Sequence, residues 1–181
     1  FQSSTSNSLP FYKMIKNYSS INTRDTSLNW VFEDIEEEIA TYFKDSNEIV
    51  NYLKSLGIET LDYIIATHPH EDHIGGMDDV IRNFNVNNVY MPEVYSLTTT
   101  FEEVINELEN KKLQITIPKI NEEISFGEGV LRFIYSGKDS EDMNNASIII
   151  KMMFGTTSYL FTGDTTSKIE NEILTSDINV D

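Results

Sequence analysis

Thr67-His68-Pro69-His70-Glu71-Asp72-His73-Ile74-Gly75-Gly76 holds all three histidines of the 181-residue chain. Imidazole is a borderline-soft ligand suited to zinc, iron or manganese, and a carboxylate adds a harder oxygen. His68, His70, Asp72 and His73 therefore offer four donors within one loop. Alternate residues of an extended or tightly turning loop point the same way. His68 and His70 can then share one ion while Asp72 and His73 turn toward a second. The plain alternative is a polar surface loop that merely collects histidines, and the flanks of the motif argue against it.

Those flanks read as a strand before and a helix after. Leu61 to Ala66 is a short apolar, β-branched run of the length of a buried strand, and it ends where the donors begin. Gly75-Gly76 lets the backbone pass close to an ion and change direction. Met77, Val80, Ile81 and Phe84 then repeat at helical spacing. The donors thus lie at the carboxyl end of a strand, the edge at which ligands gather in layered α/β folds.

The motif resembles the signature of the metallo-β-lactamase superfamily, αββα sandwich hydrolases that use one or two metal ions. Thr67, Gly75 and Gly76 match its usual flanks, and His68, His70, Asp72 and His73 fall on its ligand positions. Downstream, Ser158-Tyr159-Leu160-Phe161-Thr162-Gly163-Asp164 is similar to the family's apolar strand ending in Gly-Asp. The resemblance implies that Asp164 bridges two ions, that Asp72 holds the second and accepts a hydrogen bond from the nucleophile, and that the metal is zinc, with manganese or iron as alternatives. Within the superfamily the chain looks most like the soluble hydrolase domain of ComEC-type competence (DNA-uptake) proteins. Residues 49–58, the strand 61–65 and Asn144-Asn145-Ala146-Ser147-Ile148-Ile149-Ile150 carry that likeness, which spans about residues 48–174. Other branches place a third histidine near the Asn-x-x-Ser entry, and this chain has none there.

Two departures from the family pattern stand out. The family opens with a β-hairpin bearing Asp-x-Gly signatures, yet residues 1–47 contain no glycine. It also supplies a last histidine after the helix that follows Gly-Asp, and the chain stops at Asp181 before any such residue. With Phe1 in place of methionine, these departures read as a partial domain over residues 31–181, preceded by a loosely packed Ser/Thr/Asn-rich arm over residues 1–30. The expected fold is an α+β, αββα sandwich that is incomplete in this chain.

Composition sets outer bounds. With 39% apolar residues the chain can bury a core, and it has no run long enough to span a membrane. Thirty acidic against 13 basic side chains leave a net charge of −17, which opposes strong nonspecific nucleic-acid binding. Cysteine is absent, so thiolate ligands and disulfides are excluded, while the compartment stays open.

The remaining pattern predicts helices at Phe32–Phe43, Glu48–Leu56, Thr100–Lys112 and Thr165–Leu174. It predicts strands at Val86–Met91, Gln114–Ile117, Ile124–Phe126, Val130–Tyr135, Ala146–Phe154 and Ser158–Thr162, the last two joined by a hairpin at Gly155-Thr156-Thr157. Glu71, Tyr95 and Lys138-Asp139-Ser140 are secondary candidates for the site rim, and Met152-Met153 reads as core. The expected function is hydrolysis of a phosphodiester or related small or nucleotide substrate by a metal-activated hydroxide, with Asp72 and Asp164 as catalytic groups. Two alternatives remain open. One is an acyl-directed thioesterase or lactonase of the glyoxalase-II type, whose signature is the same; the other is a degenerate, non-catalytic binding module.

Overall fold

The computed structural model describes residues 30–32, 46–138 and 141–176. Four strands, β1 (Trp30–Phe32), β2 (Thr60–Ile65), β3 (Asn85–Tyr90) and β4 (Ile115–Thr116), form a parallel sheet in that order. Parallel strands need crossover connections, and the intervening segments supply helices α1 (Ser46–Ser55), α2 (Glu71–Ile74), α3 (Met77–Asn83) and α4 (Thr99–Lys111). The second sheet is an antiparallel meander of β5 (Glu123–Phe126), β6 (Gly129–Tyr135), β7 (Ile149–Phe154) and β8 (Thr157–Phe161). Helix α5 (Ser167–Thr175) closes the described chain.

Three apolar layers fix how these elements stack. Val50 and Leu53 of α1, Val80 and Ile81 of α3, and Phe101, Val104 and Leu108 of α4 bury against Ile64 and Val89 of the parallel sheet. Ile65 and Tyr90 on that sheet's other face meet Leu131, Phe133, Ile150 and Met152 of the antiparallel sheet. Ile134 and Ile149, on the far side of the second sheet, receive Ile169 and Ile173 of α5. The order helix, sheet, sheet, helix is the expected αββα sandwich. Ile64 and Ile65, consecutive and both fully buried, face opposite layers, which is why the end of β2 is apolar on both faces.

Several boundaries differ from the sequence expectation. The helix expected at Phe32–Phe43 lies outside the described residues beyond Phe32, and Trp30–Phe32 instead add a strand beside β2. The arm expected over residues 1–30 likewise lies outside them apart from Trp30. Helix α4 starts two residues earlier than a Thr100 cap would place it: the Thr98 hydroxyl accepts from Phe101 N at 3.3 Å, which brings Phe101 into the first turn and into the core. Residues Ala146 to Ile148, expected as strand, precede it. A 3₁₀ turn, Met143–Ala146, forms there because the Asp142 carboxylate accepts from Asn144 N at 3.1 Å, and pairing begins only at Ile149 opposite Tyr135. The β7–β8 hairpin is as expected, with Phe154 paired to Thr157 across Gly155-Thr156.

Candidate metal centre

Strand β2 ends at Ile65, and the next residues turn over the sheet edge toward the antiparallel sheet. Ala66 N still donates to Tyr90 O at 2.9 Å, while Thr67 O accepts from Ile148 N at 2.9 Å, so the chain is tied to the second sheet just where the donors begin. His68 follows and is fully buried. The motif then curls into the single turn of α2, in which His73 N and Ile74 N both donate to His70 O at 3.0 Å. Sequence reasoning treats this stretch as an extended or turning loop. The helical turn instead carries His73 back toward His68, with ring centroids 4.1 Å apart. Gly76 leaves the turn at φ 92, a left-handed conformation that favours glycine, and α3 starts in the new direction.

The other donor arrives from the end of β8. Gly163, at φ 55, bends the chain so that the Asp164 carboxylate stands 3.2 Å from His73 Nε2. A side chain at this position would be crowded as well as strained. A Cβ would lie 3.0 Å from Ser147 Oγ and 3.3 Å from Thr67 Cβ. Three connections therefore converge on one point, those after β2, before β7 and after β8.

His68, His73 and Asp164 each present a ligand atom, and these atoms lie within 4.8 Å of one another. His68 Nε2 is 3.0 Å from His70 Nδ1, with the two rings edge to face. Asp72 stands 3.6 Å from His73 Nε2 and is half exposed, as is Asp164, whereas His68 and His73 are buried. All five sequence candidates thus share one patch, with imidazoles at its floor and carboxylates at its rim. Three imidazoles and two carboxylates without sulfur form a donor set that fits zinc or another borderline first-row ion.

The secondary candidates part ways. Glu71 is exposed on α2. Tyr95 is exposed but leans edge-on against Phe101, with centroids 5.4 Å apart, and so belongs to the start of α4. Lys138 pairs with Glu93, linking the loops after β6 and β3, while Asp139 and Ser140 lie outside the described residues. Met152 is fully buried between the sheets, as its strand position predicts. Sequence reasoning missed the contact of Ser147 with His68 and the tie between Asn145 and Thr166. The available signal was a polar Asn-Asn-Ala-Ser run entering an otherwise apolar strand.

The family model for the metallo-beta-lactamase superfamily matches residues 25–178, a span that contains every donor and both sheets. The chain belongs to the metallo-beta-lactamase superfamily. It is similar to ComE operon protein 3 of Bacillus subtilis, 23% identical over 151 residues that make up 82% of this chain and 19% of that protein. It is also similar to a hydroxyacylglutathione hydrolase of Vibrio parahaemolyticus, 33% identical over 78 residues, 41% of this chain and 31% of that one. This superfamily chain therefore spans less than a third of the length of either relative. A superposition on CmlA, a diiron beta-hydroxylase from Streptomyces venezuelae, covers 68% of this chain and 24% of that one at 17% identity, and its TM-score of 0.44 is too low to carry an argument. Among the described residues no helix is long and apolar enough to cross a membrane.

Proposed function

We propose that this superfamily member is a metal-dependent hydrolase that cleaves a phosphodiester. The observation that supports it most is the convergence of His68, His73 and Asp164 within 4.8 Å, with His70 and Asp72 beside them. His68, His70 and His73 would hold the ion on the buried side, with Asp72 and Asp164 completing the shell from the rim. When bound, zinc or manganese supplies Lewis acidity and brings a water toward ionisation near neutral pH. The half-exposed Asp72 carboxylate would accept a hydrogen bond from the nucleophilic water and orient it. Asp164 would set the separation of the donors on its side of the site, and the buried His68 and His73 rings would keep bulk water away from that face.

Similarity over 82% of the chain to ComE operon protein 3 favours the competence-type reading, while the match to hydroxyacylglutathione hydrolase covers 41% and favours a second, acyl-directed reading. One assay separates them. Zinc- and manganese-loaded protein is given bis-nitrophenyl phosphate, a glutathione thioester and a lactone in parallel. Preference for the phosphodiester, abolished by chelation and restored by metal, supports the first reading; preference for the thioester or lactone replaces it with the second. Bound metal with no turnover of any substrate would leave a binding module.

A further inference from the structure

The side chains around the candidate donors are themselves held by buried contacts. His68 turns Nε2 toward His70 and Nδ1 the other way, into a fully buried pocket made by Thr67 and Ser147. Thr67 Oγ1 is 3.3 Å and Ser147 Oγ 3.4 Å from Nδ1. Ser147 is 79 positions from His68 in sequence, so this contact is made by the fold, and the glycine at 163 leaves the space in which the hydroxyl sits. Two residues earlier, buried Asn145 donates from Nδ2 to Asp142 at 3.3 Å and accepts at Oδ1 from the Thr166 hydroxyl. Thr166 occupies the N-cap position of α5 yet makes no side-chain cap bond. Its hydroxyl serves Asn145 instead, which ties down the loop that carries Asp164.

We infer that Ser147 and Asn145, on the connection before β7, are the positioning residues of the metal centre. Ser147, seconded by Thr67, holds the proton of His68 on Nδ1, and Asn145 holds the Asp164 loop through Thr166. Ser147 acts by selecting the tautomer of His68. A neutral imidazole carries one proton, and the nitrogen facing the other donors must keep its lone pair to bind an ion. Nδ1–H donating to a buried hydroxyl satisfies both groups at once and fixes the ring plane. Ser147 and Asn145 lie one residue apart on either side of Ala146, so a single short segment sets the His68 ring from one side and the Asp164 loop from the other. This inference rests on the metal-centre reading above, and one of its tests does not need the metal.

The experiment uses the whole chain with its wild-type sequence, Ser147→Ala and Asn145→Ala. Long-range proton–nitrogen NMR on metal-free wild type reports the His68 tautomer directly. The expected result is Nδ1–H; an Nε2–H tautomer overturns the proposal without any variant. Zinc affinity is then measured by competition with a chromophoric chelator, circular dichroism verifying the fold of each variant. Loss of an outer-sphere partner of a ligating histidine costs about 10–100-fold in metal affinity, and Ser147→Ala should fall in that range. Asn145→Ala should weaken zinc as well while leaving the His68 tautomer as in wild type. Folded variants that bind zinc within twofold of wild type overturn the proposal. Wild type that binds no zinc refutes the metal-centre reading itself, whereas an Nδ1–H tautomer beside unchanged affinity in Ser147→Ala refutes only the positioning role. If Ser147→Ala does not fold, the wild-type tautomer and Asn145→Ala decide.

Discussion

The two sheets contribute to the candidate metal centre in different ways. The parallel sheet delivers His68, His70, Asp72 and His73 from one continuous stretch that leaves the end of β2 and closes on itself in a single helical turn. The antiparallel sheet delivers one carboxylate, Asp164, and its supports come from the separate connections before β7 and after β8. The first contribution is local and holds its shape through backbone hydrogen bonds three and four residues apart. The second exists only while the two sheets stay in register. On the proposed reading the dense motif alone would hold an ion loosely, and the second sheet would sharpen that site by placing a rim carboxylate and gripping the ring of His68.

The sharpest break of this comparison is His68→Ala, which removes the donor both sheets share. Zinc affinity should fall by more than ~100-fold, since even the loss of an outer-sphere partner costs up to about that much. Metal content by mass spectrometry of the purified variant, set beside its turnover, checks this, and retained stoichiometry would refute the assignment. His70→Ala, which touches the first sheet's contribution alone, should also lose hydrolysis.

Asp164→Asn isolates the second sheet's donor. Turnover should drop ~100-fold, the scale on which one preorganised electrostatic group acts, because the amide lacks the charge and the second anionic oxygen. The side chain is half exposed and the N-cap position of α5 belongs to Thr166, so stability should move by less than ~0.5 kcal/mol in urea titration. Near-normal turnover would mean that the local cluster suffices.

Gly163→Ala perturbs the fit between sheets without touching a donor. An alanine held at φ 55 against Ser147 should cost about 1–3 kcal/mol and weaken zinc at the same time. Gly57→Ala is the control: φ is 74 there but no atom stands within 4 Å of the added Cβ, so it should show strain of ~1 kcal/mol and unchanged zinc affinity. Equal zinc affinity in both variants would remove the second sheet from the comparison.

The smallest effect concerns the layer between the sheets. Tyr90 packs on Phe133 and reaches Glu122, and its phenol is pushed up to about 12, chiefly by burial and then by the Glu122 carboxylate. The folded state keeps that proton more tightly than the unfolded chain, whose phenols ionise near 10. The stabilisation is therefore complete below about pH 10 and is lost as pH rises toward about 12. Tyr90→Phe should be near neutral at pH 7 and flatten that decline, as followed by denaturation at several alkaline pH values.

Much of this was legible from residue order. The histidine cluster, the apolar run of β2, the 3.6-residue stripe of α3, the hairpin at Gly155-Thr156 and the Gly-Asp turn are short-range patterns, and each lies where those patterns place it. The one-turn helix inside the motif was not, because Glu71-Asp72-His73-Ile74 is too short for a period to show and forms under tertiary contacts. The early start of α4 escaped for a related reason: Glu103, three residues after Thr100, favours that threonine as the cap in sequence, and the burial of Phe101 selects Thr98 instead.

What residue order by itself determined is which side chains are the candidate donors and that four of them group on the first sheet, since the spacing of residues within one loop is set by covalent geometry and a few hydrogen bonds. What only the tertiary structure decided is that Asp164 meets His73, that Ser147 meets the far side of His68, and that Gly163 packs tightly against Ser147 and Thr67. Those distances depend on how two sheets pack through Ile65, Tyr90, Phe133 and Met152, and the sum of those side-chain volumes is not encoded in any one stretch of chain.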